Sequence, residues 1–243
     1  MAEFNSMRST IQSGASIGID SGLRTHMNKV YGLMAVAMVI TGAVAWSIGT
    51  SPDEIFYSIF GNSILSLLIM FAPLGFVFFL SARVMKMSYS AGQLSFWLFA
   101  ALMGLSLASI FKVYTGTSIA NAFFTTAVAF GAMSLFGYTT KKDLSGMGRF
   151  LFMGVIGLIV AMIINWFTQS PGLEFAINVL GVLIFAGLTA YDTQNIKNTY
   201  LSLRSSPNGE QIAAKAGILG ALSLYINFLN MFMFLLQFMG NRE

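Results

Sequence analysis

Long apolar runs separated by short polar breaks are the dominant pattern along this chain. Each run is nearly uncharged and close to the ~20 residues that a membrane-spanning helix needs. A membrane barrel would instead show segments of about ten residues with alternating polarity. The pattern therefore predicts an all-α, polytopic membrane protein with seven transmembrane helices, at about residues 30–50, 57–82, 92–111, 118–138, 150–168, 173–194 and 217–239.

The composition supports a membrane protein. Of the 243 residues, 56% are hydrophobic and only 9% are charged, whereas a soluble domain carries roughly a quarter charged residues. The connections between the runs are short, so we expect one compact bundle, residues 30–243, preceded by an N-terminal tail, residues 1–29. The tail has no apolar segment typical of a cleaved signal peptide.

The basic residues predict the orientation of the chain. They are scattered singly or in pairs at the ends of the runs and form no patch of the kind that binds nucleic acid. Eleven of the 13 lie in the tail and in the loops after runs two, four and six, which places the N-terminus in the cytoplasm by the positive-inside rule. The eleven are Arg8, Arg24, Lys29, Arg83, Lys86, Lys141, Lys142, Arg149, Lys197, Arg204 and Lys215, against Lys112 and Arg242 on the other side.

A polar stripe runs along the seventh helix. Its members lie within roughly 80° of one another at 100° per residue, so they share one face. Amides in hydrocarbon seek partners, and this face is therefore expected to point into the bundle, either as polar contacts between helices or as the lining of a pathway. The stripe consists of Ser223, Asn227, Asn230 and Gln237.

One carboxylate, Asp192, directly follows seventeen uncharged residues in run six. If the helix ends there, Asp192 is a solvated residue at the membrane surface; if it continues to Lys197, Asp192 lies about one turn inside. Thr189 and Asn195 on the same face, and the lack of a helix breaker before Pro207, favour the second reading. A buried carboxylate needs a cation, a hydrogen-bond donor or a proton, and Arg83 is the nearest predicted cation.

Other chemistry is sparse. The single histidine, His26, falls in the predicted tail and is expected on the surface. The chain has no cysteine, which excludes disulfides and cysteine-ligated metals, and it contains no phosphate-binding loop or nucleophile motif. Nothing in the sequence argues for an enzyme or for an organic cofactor.

Five stretches together resemble the Bax inhibitor family, also called the transmembrane Bax inhibitor motif family, in its bacterial branch. The resemblance begins at about residue 19 and covers nearly all of the chain after it. The stretches are IDSGLRTHMNKVYGLM, FAPLGFVF, KKDLSGMG, AYDTQNIK and ALSLYINFLN.

The resemblance implies a seven-helix bundle with the last helix at its centre, in the bacterial inner membrane. It also implies a pH-sensitive calcium or cation leak whose sensor is a pair of aspartates with an arginine nearby. Asp192 matches the first aspartate and Arg83 the arginine, but Asn227 stands where the family usually has the second aspartate. Any pH response is therefore expected to be weaker or to lie at lower pH. Further candidates for lining the pathway are Thr189, Thr193, Ser223, Asn230 and Gln237.

Calcium would bind weakly here. It prefers six to eight oxygen ligands, and the predicted site offers Asp192, the side-chain carbonyl of Asn227 and Thr193, of which Asp192 alone is charged. Besides the lipid bilayer and a cation, the resemblance implies one further partner, a membrane-bound AAA quality-control protease, and regulation of that protease is the alternative function. A leak would depend on Asp192 and Arg83, whereas a partner role would depend more on residues 1–25.

Overall fold

The computed structural model describes the backbone of residues 2–241 and the side chains of residues 21–241. Nine α-helices and no β-strand occur in this part of the chain. A 3-10 turn at Val84–Lys86 follows the third helix. The helices are α1 (Ala2–Gly49), α2 (Asp53–Phe60), α3 (Ser63–Arg83), α4 (Tyr89–Leu107), α5 (Ile110–Val113), α6 (Gly116–Thr139), α7 (Ser145–Thr168), α8 (Pro171–Leu203) and α9 (Gly209–Met239).

Seven of these helices are long and apolar enough to cross a membrane, which confirms the predicted number. The second predicted span differs from the structure at its start. The run predicted from residue 57 is divided, because α2 ends at Phe60 and α3 begins only at Ser63. The side chain of Asn62 caps the new helix by accepting hydrogen bonds from the backbone N–H groups of Ile64 and Leu65.

The last helix, α9, lies at the centre of the bundle, as predicted. In its most apolar stretch 61% of the residues are buried, against 6% for α7. Helices α1, α4, α6 and α8 pack directly against it, while α3 packs mainly on α4 and α7 mainly on α8. The structure therefore has a core helix, an inner ring of four helices and two outer helices.

Both ends of the bundle are fixed by polar contacts between helices. At one end, which we call the basic end, Lys215 donates to the carbonyl of Met85 and Lys197 to that of Tyr138. These contacts join the turn after α3 to the start of α9, and the end of α6 to α8. At the opposite end, a salt bridge of 2.8 Å joins Lys112 and Asp53. That the basic end faces the cytoplasm stays a prediction.

Close helix contacts around α8 depend on glycine. A Cβ added at Gly137 of α6 would overlap the backbone carbonyl of Ala190, and one at Gly220 of α9 would lie 2.7 Å from a side-chain carbon of Ile196. Small residues of this kind let backbones approach within the membrane. They hold the middle of α8 tightly against α6 and α9.

The structure carries α1 without a break across residues 29 and 30, where the predicted tail meets the predicted membrane domain. Leu23 and Met27 already belong to the apolar core. The expectation of a surface histidine is wrong, because the side chain of His26 is only 9% exposed and stacks on Tyr200 with ring centroids 4.7 Å apart. Residues 21–29 thus form the first part of a span, which runs from Ser21 to Gly49. The earlier part of the predicted tail, residues 1–20, lies outside the residues with described side chains.

Candidate functional site

Asp192 lies inside α8 and not at its end. The helix starts with Ser170 as its cap and Pro171 in its first turn, and it continues to Leu203, eleven residues beyond Asp192. At 1.5 Å per residue this distance is ~16 Å. The reading in which the helix continues is therefore the correct one, and it places the carboxylate well within the bundle.

The direct partner of Asp192 is Asn227 of the central helix. The Asn227 amide Nδ2 donates to Asp192 Oδ2 at 2.7 Å. Asn227 is only 5% exposed and Asp192 is partly buried. A hydrogen bond to an ionised acceptor is stronger than one between neutral groups, at about 1.5–3 kcal/mol. This contact links α8 to α9 at the centre of the molecule.

Asp192 has neither a second carboxylate nor a cationic side chain as a direct partner among the described residues. Among residues 21–241 it is the only carboxylate in the interior of a membrane-length helix, since Glu174 and Glu210 stand in the first turns of α8 and α9. The predicted partner Arg83 lies exposed at the end of α3 and forms no salt bridge with Asp192 within the described residues. The expected ion pair is thus not formed, and the amide of Asn227 supplies the compensating donor instead.

Two cavities meet at this contact. The first, of about 190 Å³, extends from Asp192 toward the basic end between α1, α8 and α9. The second, of about 380 Å³, extends from Asp192 the other way between α7, α8 and α9. Asp192 and Ser223 line both cavities. The Asp192–Asn227 hydrogen bond therefore stands at the boundary between two spaces that continue in opposite directions along the bundle.

The cavity toward the basic end is the more polar of the two. Its walls include Asn195, Thr199 and Tyr200 of α8 and His26 of α1. The other cavity is lined mainly by apolar side chains of α7 and α8, with Asn230 of α9 as a further polar member. The Asn230 amide donates to the carbonyl of Ile226 in its own helix, which leaves its side-chain oxygen as an acceptor.

The remaining candidates for lining the pathway lie elsewhere. Thr189 is fully buried and donates to the carbonyl of Phe185 in its own helix. Thr193 is also fully buried and shares a hydrogen bond of 3.1 Å with Ser134 of α6. Gln237 is exposed near the end of α9. Of the five residues predicted to line the pathway, only Ser223 and Asn230 line the two cavities that meet at Asp192.

Sequence reasoning missed the wall of the polar cavity that α1 provides. His26 reaches the cavity of Asp192 because α1 packs against α9 there, and a Cβ added at Gly217 of α9 would lie 3.1 Å from the His26 ring. The signal was present: the buried residues Leu23, Met27 and Val30 continue the helical apolar spacing of the first run back into the predicted tail. The charged residues Arg24 and Lys29 lie between these apolar positions, so a search for uncharged runs began the first span too late.

A strong metal site is not built into this region. Within residues 21–241 no three histidine, cysteine or carboxylate side chains are grouped closely enough to hold a metal ion. Thr193, a possible calcium ligand, directs its hydroxyl at Ser134 instead. Asp192 alone could offer a charged oxygen to a passing calcium ion, which fits weak binding only.

A carboxylate outside the spans provides a contrast. Asp143, in the loop between α6 and α7, is exposed. Hydrogen bonds from the side chain and then the backbone of Ser145 lower the pKa of this carboxyl below its usual value. Asp143 therefore stays ionised at neutral pH at the surface, and it lines neither of the two cavities.

Comparison with known proteins identifies the family. A family model described as inhibitor of apoptosis-promoting Bax1 matches residues 23–243. The chain belongs to the Bax inhibitor family. The match begins in the part of α1 that packs into the core, seven residues before the predicted start of the membrane domain at residue 30.

Bacterial members of the Bax inhibitor family resemble this chain over most of its length. An uncharacterized protein of Caulobacter vibrioides is 45% identical over 253 residues, covering 100% of both chains. The inner membrane protein YbhL of Escherichia coli (strain K12) is 45% identical over 225 residues, covering 92% of this chain and 94% of that protein. An uncharacterized protein of Rickettsia prowazekii is 42% identical over 224 residues, 92% of each chain. Together with the seven apolar helices, these relatives make this chain a multi-pass inner membrane protein.

Proposed function

We propose that this protein provides a leak pathway for cations, with calcium as cargo, across the bacterial inner membrane. The observation that carries the proposal is the position of the Asp192–Asn227 hydrogen bond, at the boundary shared by two cavities on one helix axis. In this reading the structure is the closed form, and separation of the two side chains joins the cavities into one path.

The charges along the path favour cations. Neither cavity is lined by a lysine or an arginine, and Asp192 is the one carboxylate in both walls. A single negative charge at a narrow point attracts a cation without holding it tightly, which conduction requires. Weak calcium affinity is consistent with this role, because a tightly bound ion would not leave.

Asp192 would also make the pathway sensitive to pH. When ionised, it attracts the cation and accepts the strong hydrogen bond from Asn227; when protonated, it loses its charge and the bond weakens. One carboxylate gives a single titration, without the coupling that two neighbouring carboxylates show. We therefore propose a shallow pH response that lies below neutral pH. In this proposal Arg83 influences Asp192 only through its long-range electrostatic field, because the two side chains form no salt bridge.

Calcium flux into proteoliposomes tests this function. A calcium-sensitive dye is trapped inside, and flux through the native protein is compared with that through Asp192→Asn and Asp143→Asn. We expect flux above empty liposomes for the native protein and for Asp143→Asn, and at least a tenfold loss for Asp192→Asn. Tenfold corresponds to ~1.4 kcal/mol, a modest part of the attraction between an ion and a partly buried charge.

Two results would overturn the proposal. One is no flux above empty liposomes for the native protein, and the other is equal flux for Asp192→Asn and Asp143→Asn. Absence of flux would turn attention to the alternative, regulation of a membrane-bound AAA protease. That role predicts that deletion of residues 1–20, which precede the first span, disturbs the protein's action more than Asp192→Asn does.

A further inference from the structure

A second feature of the bundle, separate from the path at Asp192, is a long groove between α1 and α6. Both helices pack on α9, but the main packing partners of α1 are α4 and α9, and those of α6 are α8 and α9. Two adjoining cavities of about 600 and 540 Å³ fill the space between them. Tyr31 and Phe130 line both, so the cavities form one groove along the side of the bundle.

The groove changes character along its length. Toward the middle of the bundle its walls are apolar, with Met34 and Val39 on α1, Phe123 on α6 and Phe228 of α9 at its base. At the basic end its walls carry polar side chains, among them Arg24 at the start of the first span. No carboxylate lines either part.

Arg24 is available to a ligand. Its side chain is exposed and pairs with no carboxylate among the described residues. A second cation lies close by, because Lys197 sits over the ring of Tyr138, which lines the polar part, with its Nζ 5.5 Å from the ring centroid. A basic pocket between helices at the end of an apolar groove is suited to the headgroup of an anionic lipid.

We propose that this groove binds one anionic phospholipid, with its phosphate at Arg24 and one acyl chain along the apolar part. From Arg24 to Gly42 the groove follows eighteen residues of α1, or ~27 Å. An acyl chain that reaches the middle of a bilayer needs about half of the ~30 Å hydrocarbon thickness, so the groove is long enough.

The spacing of the two helices favours a lipid over a partner helix. A hydrogen bond between the hydroxyls of Tyr31 and Ser134 joins α1 to α6 across the groove. A transmembrane helix is ~10 Å wide with its side chains and would have to break this link, whereas an acyl chain is much thinner. An added Cβ at Gly131 of α6 would meet no atom within 4 Å, which shows that part of the groove wall is open.

Native mass spectrometry of the delipidated protein with phosphatidylglycerol or phosphatidylcholine tests the proposal. We expect the native protein to retain one phosphatidylglycerol with about tenfold preference over phosphatidylcholine. Arg24→Gln should abolish the preference, while Arg24→Lys should keep most of it. The control Arg149→Gln removes another exposed arginine, at the start of α7 and outside the groove, and should change nothing.

A second pair of variants tests whether the lipid lies in the groove itself. Gly131→Leu fills the groove and should reduce binding of both lipids severalfold. Gly157→Leu places the same side chain at an exposed, open position of α7 outside the groove and should have no effect. Melting temperatures of all variants, measured without lipid, show that each is folded.

Three results would overturn the proposal: Arg24→Gln and Arg149→Gln binding alike, Gly131→Leu and Gly157→Leu binding alike, or a polypeptide rather than a lipid retained on the native protein. None of these readouts depends on calcium flux, so this site stands or falls separately from the leak pathway.

Discussion

Replacing Asn227 by aspartate should convert the contact at the centre of the bundle into a pair of carboxylates that share one proton. The two side chains are 2.7 Å apart. Two ionised carboxylates at that separation repel by about 6 kcal/mol at an effective dielectric constant of ~20. Protonating an ordinary aspartate at pH 7 costs only about 4 kcal/mol. Because the repulsion exceeds this cost, the variant should hold a proton that the native protein lacks.

Two measurements detect that proton. The infrared band of a protonated carboxyl should be present at pH 7 in Asn227→Asp and disappear when Asp192→Asn is added. Calcium flux through Asn227→Asp should rise from pH 7 to pH 9, because a repulsion of about 6 kcal/mol delays loss of the shared proton to about pH 8, and that loss drives the two carboxylates apart. The native protein should change less over the same range.

Asn230→Asp is the matched control for this prediction. It introduces the same group into the cavity beside Asp192, three residues further along α9, but the Asn230 amide bonds to its own helix and not to Asp192. If Asn230→Asp and Asn227→Asp give the same pH profile and the same infrared spectrum, direct contact between residues 192 and 227 does not determine the response. The reasoning from the 2.7 Å contact would then be wrong.

Three further predictions concern the packing that holds the site, each measured by thermal unfolding in detergent unless stated. Thr41→Val removes hydrogen bonds of 2.6 Å to the buried Tyr225 hydroxyl and 2.9 Å to a carbonyl of α4, and should cost about 1–3 kcal/mol, while Thr41→Ser should cost much less. Gly137→Ala forces α6 away from α8 and should cost at least about 1–3 kcal/mol, whereas Gly131→Ala, facing open space, should be neutral or stabilising. The Gln194 side chain accepts from the backbone N–H of Leu144 at 2.8 Å and donates to the carbonyl of Lys142 at 2.7 Å, both in the loop between α6 and α7. Gln194→Leu removes both hydrogen bonds and should speed tryptic cleavage in this loop. An unchanged cleavage rate would contradict this.

The number and order of the spans could be predicted from sequence because the requirement is simple. A helix must keep ~20 apolar residues in the bilayer, and this chain meets that requirement seven times. The central position of α9 followed from the family resemblance and agreed with the polar stripe on one face. The start of the first span could not be placed by counting charges, because Arg24 and Lys29 are exposed on a helix whose other face, at Leu23 and Met27, is buried.

The candidate site was predictable in part. Asp192 and Asn227 come together as their family positions implied, although they are 35 residues apart in sequence. The sequence did not predict which polar residues face a cavity. Helical spacing shows which residues share a face of a helix, but not which helix or cavity lies opposite that face. Thr193 lies next to Asp192 in sequence, yet its hydroxyl bonds to Ser134 of another helix. Arg83 was predicted as a partner of Asp192 because both were assigned to the same side of the membrane. Lying on the same side does not establish a contact.

Cysteine accessibility at Ala216 tests most directly whether the Asp192–Asn227 contact separates two cavities. The chain contains no cysteine, so Ala216→Cys creates a single thiol in the wall of the cavity toward the basic end, and Ala216 does not line the other cavity. A cationic, membrane-impermeant thiol reagent is applied from each side of proteoliposomes. With Asn227 intact we expect modification from one side only; with Asn227→Ala we expect it from both, and with the control Asn230→Ala from one side only. Equal patterns in the Asn227→Ala and Asn230→Ala backgrounds would contradict a pathway closed at this contact.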